Sequence, residues 1–474
     1  MRAILMFVIC LLLPVIQAVA SPSTDERCRD EVFLRRAYLT VTGALPAKEA
    51  CVKFLDSEDP RKREKLVDRL LESELGLKYM QMRWGDILRI KSEFPSNLWP
   101  NGVQAYNRWV YEQLLNNVPY DQMIRKLLLS EGSNFRAPAA NFYRGFQSRT
   151  PKNFYANINL LFLGNRNCTD NGYLCFSQIK FKSTKEWKEE IIYLDFHKTA
   201  PRQKAVLDDG TIISFEQDSD WREAYVNWLT SPNNRRFAEV MVNRMWFWVF
   251  GKGIVHEPDD WRADNQPSDP KLLAELTDYF LKKNFDMKAL MKKILLSKEF
   301  NSKAAPEGWY VPQRLPAEVI VDALASTTGM WSTYSSRVPE PFTFYPPQTR
   351  ATHLGDATVS STELELFGKV SRDVSLESQR NNSITSRQLL YLMNSSALER
   401  RIRKSPFIRR ICENSTDVAQ IANEITLRAL SRRATHNEVE LYKEYKEKNG
   451  MTINELAYDI MWMQINSNEF LYNH

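Results

Sequence analysis

From Asp30 to about Glu131 apolar residues recur three and four positions apart, and this spacing constrains the fold more than any other feature of the chain. Phe33, Leu34, Ala37, Tyr38 and Val41 fall on one face of a helix that Gly43 and Pro46 stop. A second helix is expected over about 47–55. Asp59 and Pro60 open a third, carrying Leu66, Val67, Leu70 and Leu71, and the pattern runs on through Trp84, Ile87, Leu88, Trp109, Val110, Leu114 and Leu115. The same period returns from Asp220 to about Phe300 and from Ser386 to the end. Stripes of this kind bury against other helices, so the expected class is mainly α, a multi-helical two-domain protein with a small β-rich insertion.

Two stretches break the helical pattern. Residues 167–218 hold short β-like runs, Glu190 to Phe196 and Thr211 to Phe215, punctuated by Asn171-Gly172 and Asp208-Asp209-Gly210. From about Ser332 to Ser361 proline, serine and threonine dominate, with Pro339, Pro341, Pro346 and Pro347, which predicts an ordered extended surface segment or a linker. The expected organisation is a signal over 1–20, a helical domain over 21–166, the β-rich insertion over 167–218 and a second helical domain over 219–474.

The ends of four helical segments resemble one another: LVDRLLES from Leu66 to Ser73, MIRKLLLS from Met123 to Ser130, LMKKILLS from Leu290 to Ser297 and IMWMQINS from Ile460 to Ser467. The last two continue as Ser297-Lys-Glu-Phe300 and Ser467-Asn-Glu-Phe470. Asp121, Asp286 and Thr452 stand where N-caps are expected. The repeat predicts an amphipathic helix packed the same way each time.

Composition narrows the function. The net charge is +6, from 64 Lys and Arg against 58 Asp and Glu, and signs alternate along most of the chain, so no nucleic-acid partner is expected. With 16 glycines and five histidines, phosphate-cradling loops and multi-histidine metal cages are poor expectations. Arg2, the apolar run Ala3 to Ile16 and Ala18-Val19-Ala20 read as a secretory signal cleaved after Ala20. That run is shorter than the roughly 20 residues a membrane span needs, and no later segment qualifies, so the mature chain is expected to be exported, to the periplasm or cell surface, with no transmembrane segment. Loss of the signal removes Cys10 and leaves Cys28, Cys51, Cys168, Cys175 and Cys412. Cys168 and Cys175 are candidates for a disulfide across a hairpin turned at Asn171-Gly172, and Cys28 and Cys51 for a second; the alternative is five small buried residues.

The densest polar cluster is Arg235-Arg236, Asn243-Arg244, His256, Asp259-Asp260, Arg262 and Asp264. Paired carboxylates beside guanidinium groups suit an acid/base pair, a cation site or a structural ion-pair network, and spacing alone does not separate these. Carboxylates depressed by arginine would be poor proton donors. His353 follows Arg350 in the proline-rich segment, with Glu377 and Arg380 downstream. Asp259, Asp260 and Glu377 are the catalytic candidates; Asn243, Arg244, Arg262, Arg350, His353 and Arg380 are the binding candidates. No spacing matches a zinc motif, a Walker loop or a nucleophile elbow. Most of the twelve tryptophans lie on apolar helix faces, which favours core packing over carbohydrate stacking.

The segment Phe33-Leu-Arg-Arg-Ala-Tyr-Leu-Thr-Val-Thr-Gly-Ala-Leu-Pro46 and the later Phe237-Ala-Glu-Val-Met-Val-Asn-Arg-Met-Trp246, Phe250-Gly-Lys-Gly-Ile-Val255 and Ile465-Asn-Ser-Asn-Glu-Phe-Leu-Tyr-Asn-His474 carry a family resemblance. The chain resembles large secreted proteins of planctomycetes and their relatives, in which a cytochrome-associated PSCyt-type domain of unknown function precedes a PSD-type domain. The resemblance implies export and the company of sulfatase-like secreted proteins. Typical members carry a haem-like Cys-x-x-Cys-His segment after Phe-Leu-Gly; here Phe162-Leu163-Gly164 is followed by Cys168 and Cys175 with no histidine beside either. A Ser-His-Pro element reads Ser268-Asp269-Pro270, and a Cys-Glu-Cys-like element reads Ser375-Leu-Glu-Ser378. No cofactor or metal is therefore expected, and a redox role is disfavoured. The expected function is an exported binding or assembly protein that contacts a glycan or a secreted sulfatase-like partner. The alternative is a polysaccharide hydrolase using Asp259, Asp260 or Glu377 with Arg244 and Arg350, which requires these residues to converge in one cleft.

Overall fold

A computed structural model of the chain describes residues 27–92, 98–166, 171–185, 188–197, 204–216, 218–304, 310–336 and 344–474. The expected signal over 1–20 lies outside the described residues. The protein is mainly α, and the sheets among the described residues are small, of two or three strands. The helix Asp30–Thr42 ends where expected: Gly43 takes a left-handed φ of 58° and donates its N–H to Leu39 O. A Cβ there would fall 2.5 Å from the Tyr79 ring, so both conformation and contact require glycine. Helices Lys48–Leu55 and Lys62–Glu72 follow.

Two apolar cores organise the helices. The first gathers Phe33, Trp84, Tyr120 and Phe162 with Phe237, Phe280 and Phe300, so helices from Asp30–Thr42 to Met287–Leu295 pack around one interior. The second is built from Ala317–Thr328, Val418–Leu430 and Ile453–Ile465, through Ile320, Leu324, Ile425 and Ile460. Leu39 and Tyr79 enter this second core from the N-terminal helices. The first helix therefore serves both: Phe33, Leu34 and Ala37 face one core and Leu39 the other.

Two of the four repeated helix ends, those that continue to Phe300 and Phe470, are gripped by two adjacent buried arginines. Arg36 donates to Phe300 O at 2.8 Å, Ser302 O at 2.7 Å and His474 O at 2.9 Å, with its guanidinium 3.6 Å from the centroid of the Tyr310 ring. Arg35 donates to Phe470 O at 3.0 Å and Ala429 O at 3.1 Å. Ser297 and Ser467 each accept the N–H of the phenylalanine three residues on, starting the short helices Lys298–Asn301 and Asn468–Leu471. Terminal carbonyls have no partner within their own helix, and a guanidinium fork supplies one. Asp286 and Thr452 cap their helices as expected. Asp121 does not: the helix starts two residues earlier, at Tyr120 on a Pro119 cap, and burial pushes the Asp121 carboxyl up.

Strands β1 (Gly132–Ser133), β2 (Ile179–Ser183) and β3 (Glu190–Leu194) form an antiparallel sheet in the order β1-β3-β2, with Phe181 opposite Ile192. Strands β4 (Lys204–Val206) and β5 (Ile212–Ser214) pair around Asp208-Asp209-Gly210. Because β1 comes from the helical region, the sheet ties the insertion to it. Asn171-Gly172 does not turn a hairpin; a 3₁₀ helix, Gly172–Phe176, starts there, with Gly172 against Tyr155. Cys28, Cys51 and Cys175 are buried free thiols and Cys412 is half-buried, so the expected Cys28–Cys51 pair is not formed. Cys28 instead meets the Arg63 guanidinium, and Cys51 points at Leu427 O. Cys168 lies outside the described residues, and its expected partner Cys175 is free. Burial pushes the Cys51 and Cys175 thiols up to about 12.

The proline-rich segment packs in its described parts. Its 3₁₀ turn Ala351–His353 docks on Ala317–Thr328, where Asp322 accepts from Ala351 N at 2.7 Å, Thr352 N at 3.1 Å and Thr352 Oγ1 at 2.7 Å. Strand β6 (Gln313–Arg314) pairs with β7 (Tyr472–Asn473). No helix among the described residues is long and apolar enough to cross a membrane.

Candidate functional site

The helix Arg235–Phe250 and the loop after it build the site. Gly251, at φ 68°, ends the helix, and the loop is latched back by Asn243. The Asn243 amide donates to Val255 O and accepts from Val255 N, both at 2.9 Å, so this binding candidate is consumed in holding the loop. Arg244, one residue on, donates to Leu161 O at 2.9 Å and sits 3.4 Å from Asp259 Oδ1 and 3.6 Å from Glu377 Oε1.

Glu377 and Asp259, 118 residues apart in sequence, meet here. The Glu377 N–H donates to Asp259 Oδ2 at 2.6 Å, and Trp248 Nε1 donates to Glu377 Oε1 at 2.8 Å. Burial raises the Glu377 carboxyl to about 7, helped by the charge of Asp259 and opposed by Arg244 and Arg83. One guanidinium thus serves two buried carboxyl groups, and Arg244 Nε and Nη1 make no hydrogen bond.

These side chains back a cleft of about 580 Å³ whose wall includes Arg83, Arg166, Trp248, His256, Asp259, Asp260, Arg314, Glu377, Arg380 and the run Asn381 to Ser383. Asp260 accepts from the exposed Arg262 at 3.0 Å, with Arg166 at 3.9 Å. Arg380 is held by Asp86 at 2.7 Å and Glu318 at 2.8 Å, and Asp86 also takes Arg372 at 2.9 Å. Arg314 meets only carbonyl oxygens, of Phe367, Asn381 and Asn382, and its Nη1 has no partner.

Residues 17–164 match the family model PSCyt2, a protein of unknown function (DUF1549), and residues 221–446 match PSD1, a protein of unknown function (DUF1553). The chain is a paired PSCyt2–PSD1 protein. No curated protein and no solved structure matches it.

In this PSCyt2–PSD1 chain the cleft draws on both matched spans. PSCyt2 supplies Thr40, Tyr79 and Arg83 and the Leu161 carbonyl behind Arg244; PSD1 supplies the acids, Trp248, Arg314 and Arg380. Three expected site residues lie elsewhere, and Arg262 lines a neighbouring groove with Arg236, Trp261 and Gln266. Arg350 stacks 5.0 Å from the centroid of the Trp331 ring beside Asp322, and His353 lines a separate groove with Lys78, Arg108, Tyr111 and Phe344. His353 belongs to the docked 3₁₀ turn and Arg350 directly precedes it, and Asp322 holds that turn on the helix Ala317–Thr328. Burial and the charges of Arg350 and Lys78 lower the His353 ring to about 4, keeping it neutral. Arg83 and Arg314 are the residues the sequence did not single out. Arg83 lies inside an ordinary helical pattern, and Arg314 on a two-residue strand that carries no periodicity.

Among the described residues, those at the motif positions do not fit a haem. Cys175 is a buried thiol, and Asp269, in the place of the Ser-His-Pro histidine, is an N-cap that accepts from Leu272 N at 2.9 Å. Ser375, beside Glu377, accepts from Arg89 Nε at 2.8 Å. Gly164 of the Phe-Leu-Gly run, at φ 65°, packs against Trp261.

Proposed function

We propose that this PSCyt2–PSD1 protein is an exported glycan-binding or assembly component, and that the cleft holds the sugar. The observation that carries this is the chemistry of the wall. Side-chain amides and hydroxyls of Gln313, Ser378, Asn381, Asn382 and Ser383 stand beside the cations Arg83 and Arg166 and the Trp248 ring. Such a wall matches a polyhydroxylated ligand better than an apolar one. Calorimetric titration with neutral and acidic oligosaccharides tests the proposal. Saturable binding is expected, weakened about tenfold or more by Arg83→Ala with thermal stability retained. A chain that binds none of the sugars is not a glycan-binding protein.

One observation favours a second possibility, hydrolysis of the bound polysaccharide. Glu377, near neutrality in its pKa and adjacent to Asp259 in the cleft with Asp260, has the protonation expected of a general acid. Arg350 takes no part, because it lies outside the cleft. Release of reducing ends should fall as pH rises above about 7 and vanish in Glu377→Gln; hydrolysis that survives this variant eliminates the assignment.

A further inference from the structure

The +6 net charge of the chain is matched by one short stretch. From Ile384 to Arg410 there are seven arginines and lysines and a single acid, Glu399. Arg401 pairs with Glu363 and Arg403 with Glu399. The other five, Arg387, Arg400, Lys404, Arg409 and Arg410, are exposed and make no ion pair with any described residue.

The same stretch exposes apolar side chains. The helix Ser386–Asn394 buries only Gln388 and Leu392. Leu390 is 57% exposed and Leu389 43%, with Met393 beside them and Ile384 just before the helix. Leu390 follows Arg387 by three positions and Met393 follows Leu389 by four, so cation and apolar groups share the outer face. Met393 and Arg409 also line one groove with Ile402 and Trp462, which joins this helix to Ser396–Arg403 and Pro406–Asn414.

We propose that these three helices form a peripheral docking surface for a lipid bilayer carrying anionic headgroups. The cations alone would suit any polyanion. The exposed leucines decide between partners, because a soluble polyanion offers them nothing to bury in, whereas the boundary between headgroups and acyl chains does. Each cation near an anionic bilayer strengthens partitioning on the order of fivefold. Ser383, on the wall of the cleft, directly precedes Ile384, so the proposed surface begins where the cleft wall ends.

Co-sedimentation of the full chain with phosphatidylcholine vesicles, with and without phosphatidylglycerol, tests this against two variants, L389E/L390E and R409E/R410E. Both change exposed positions, both keep the same N-terminal apolar run as the parent, and far-UV circular dichroism verifies their fold. The expected result is binding only to vesicles with phosphatidylglycerol, weakened by salt and reduced about tenfold or more in each variant. Absence of binding to these vesicles overturns the proposal. So does binding that L389E/L390E leaves unchanged while dextran sulfate competes for it, an outcome that would assign the surface to a soluble polyanion.

Discussion

Glu377 keeps its carboxyl beside Asp259 with only Arg244 and the Trp248 indole as close partners, and this fixes how the group responds to pH. Its folded pKa, about 7, lies above its ordinary value of 4.5. The folded state therefore holds a proton that the unfolded chain releases, so this group's contribution is complete below about 4.5 and is lost as pH rises through 7. Urea denaturation of the parent and Glu377→Gln across this range should show the two converging at low pH, with the parent losing more stability toward pH 8. Parallel curves would contradict the raised pKa. Asn243 makes a different kind of prediction. Asn243→Ala leaves both the N–H and C=O of Val255 without partners in the interior, which costs about 2–5 kcal/mol. A thermal melt measures the loss. The sequence singled out Asp259, Glu377 and Arg244 by residue type, but no spacing rule joins positions 118 apart; that juxtaposition is made by the packing of segments distant in sequence.

Helices whose signals lie within their own segment are legible in the sequence. The helix Asp30–Thr42 follows from its apolar spacing and its glycine stop, both encoded within fifteen or so residues. Features that depend on distant partners were not legible. Strand β1 is two residues long and exists because β3 lies beside it, and Asn171-Gly172 enters a 3₁₀ helix against Tyr155 where the dipeptide alone suggests a hairpin. Arg35 and Arg36 look like surface charges of an amphipathic helix, yet both are buried because they satisfy the carbonyls of two equivalent helix ends. Truncation should distinguish this from a surface role. Arg36→Ala removes three donated hydrogen bonds and should cost about 3–5 kcal/mol, read as a lower urea midpoint, whereas a surface arginine would change it by less than about 0.5 kcal/mol.

For the whole molecule, the two cores are coupled because the first helix belongs to both. Calorimetry of the intact chain is therefore expected to give one cooperative transition, and Leu39→Ala should lower its midpoint without splitting it. Two resolved transitions would mean that the cores unfold separately. The cysteines of this fold also provide a chemical handle. Cys28, Cys51 and Cys175 are enclosed, and at neutral pH Cys51 and Cys175 hold essentially no thiolate. Cys412, half-buried on the helix Pro406–Asn414, is then the thiol among the described residues best placed to accept a maleimide dye. With Cys10 and Cys168 changed to serine, a polarity-sensitive fluorophore at that single position would sit on one of the three helices proposed to meet the bilayer. Its emission would report docking in real time, without a separation step.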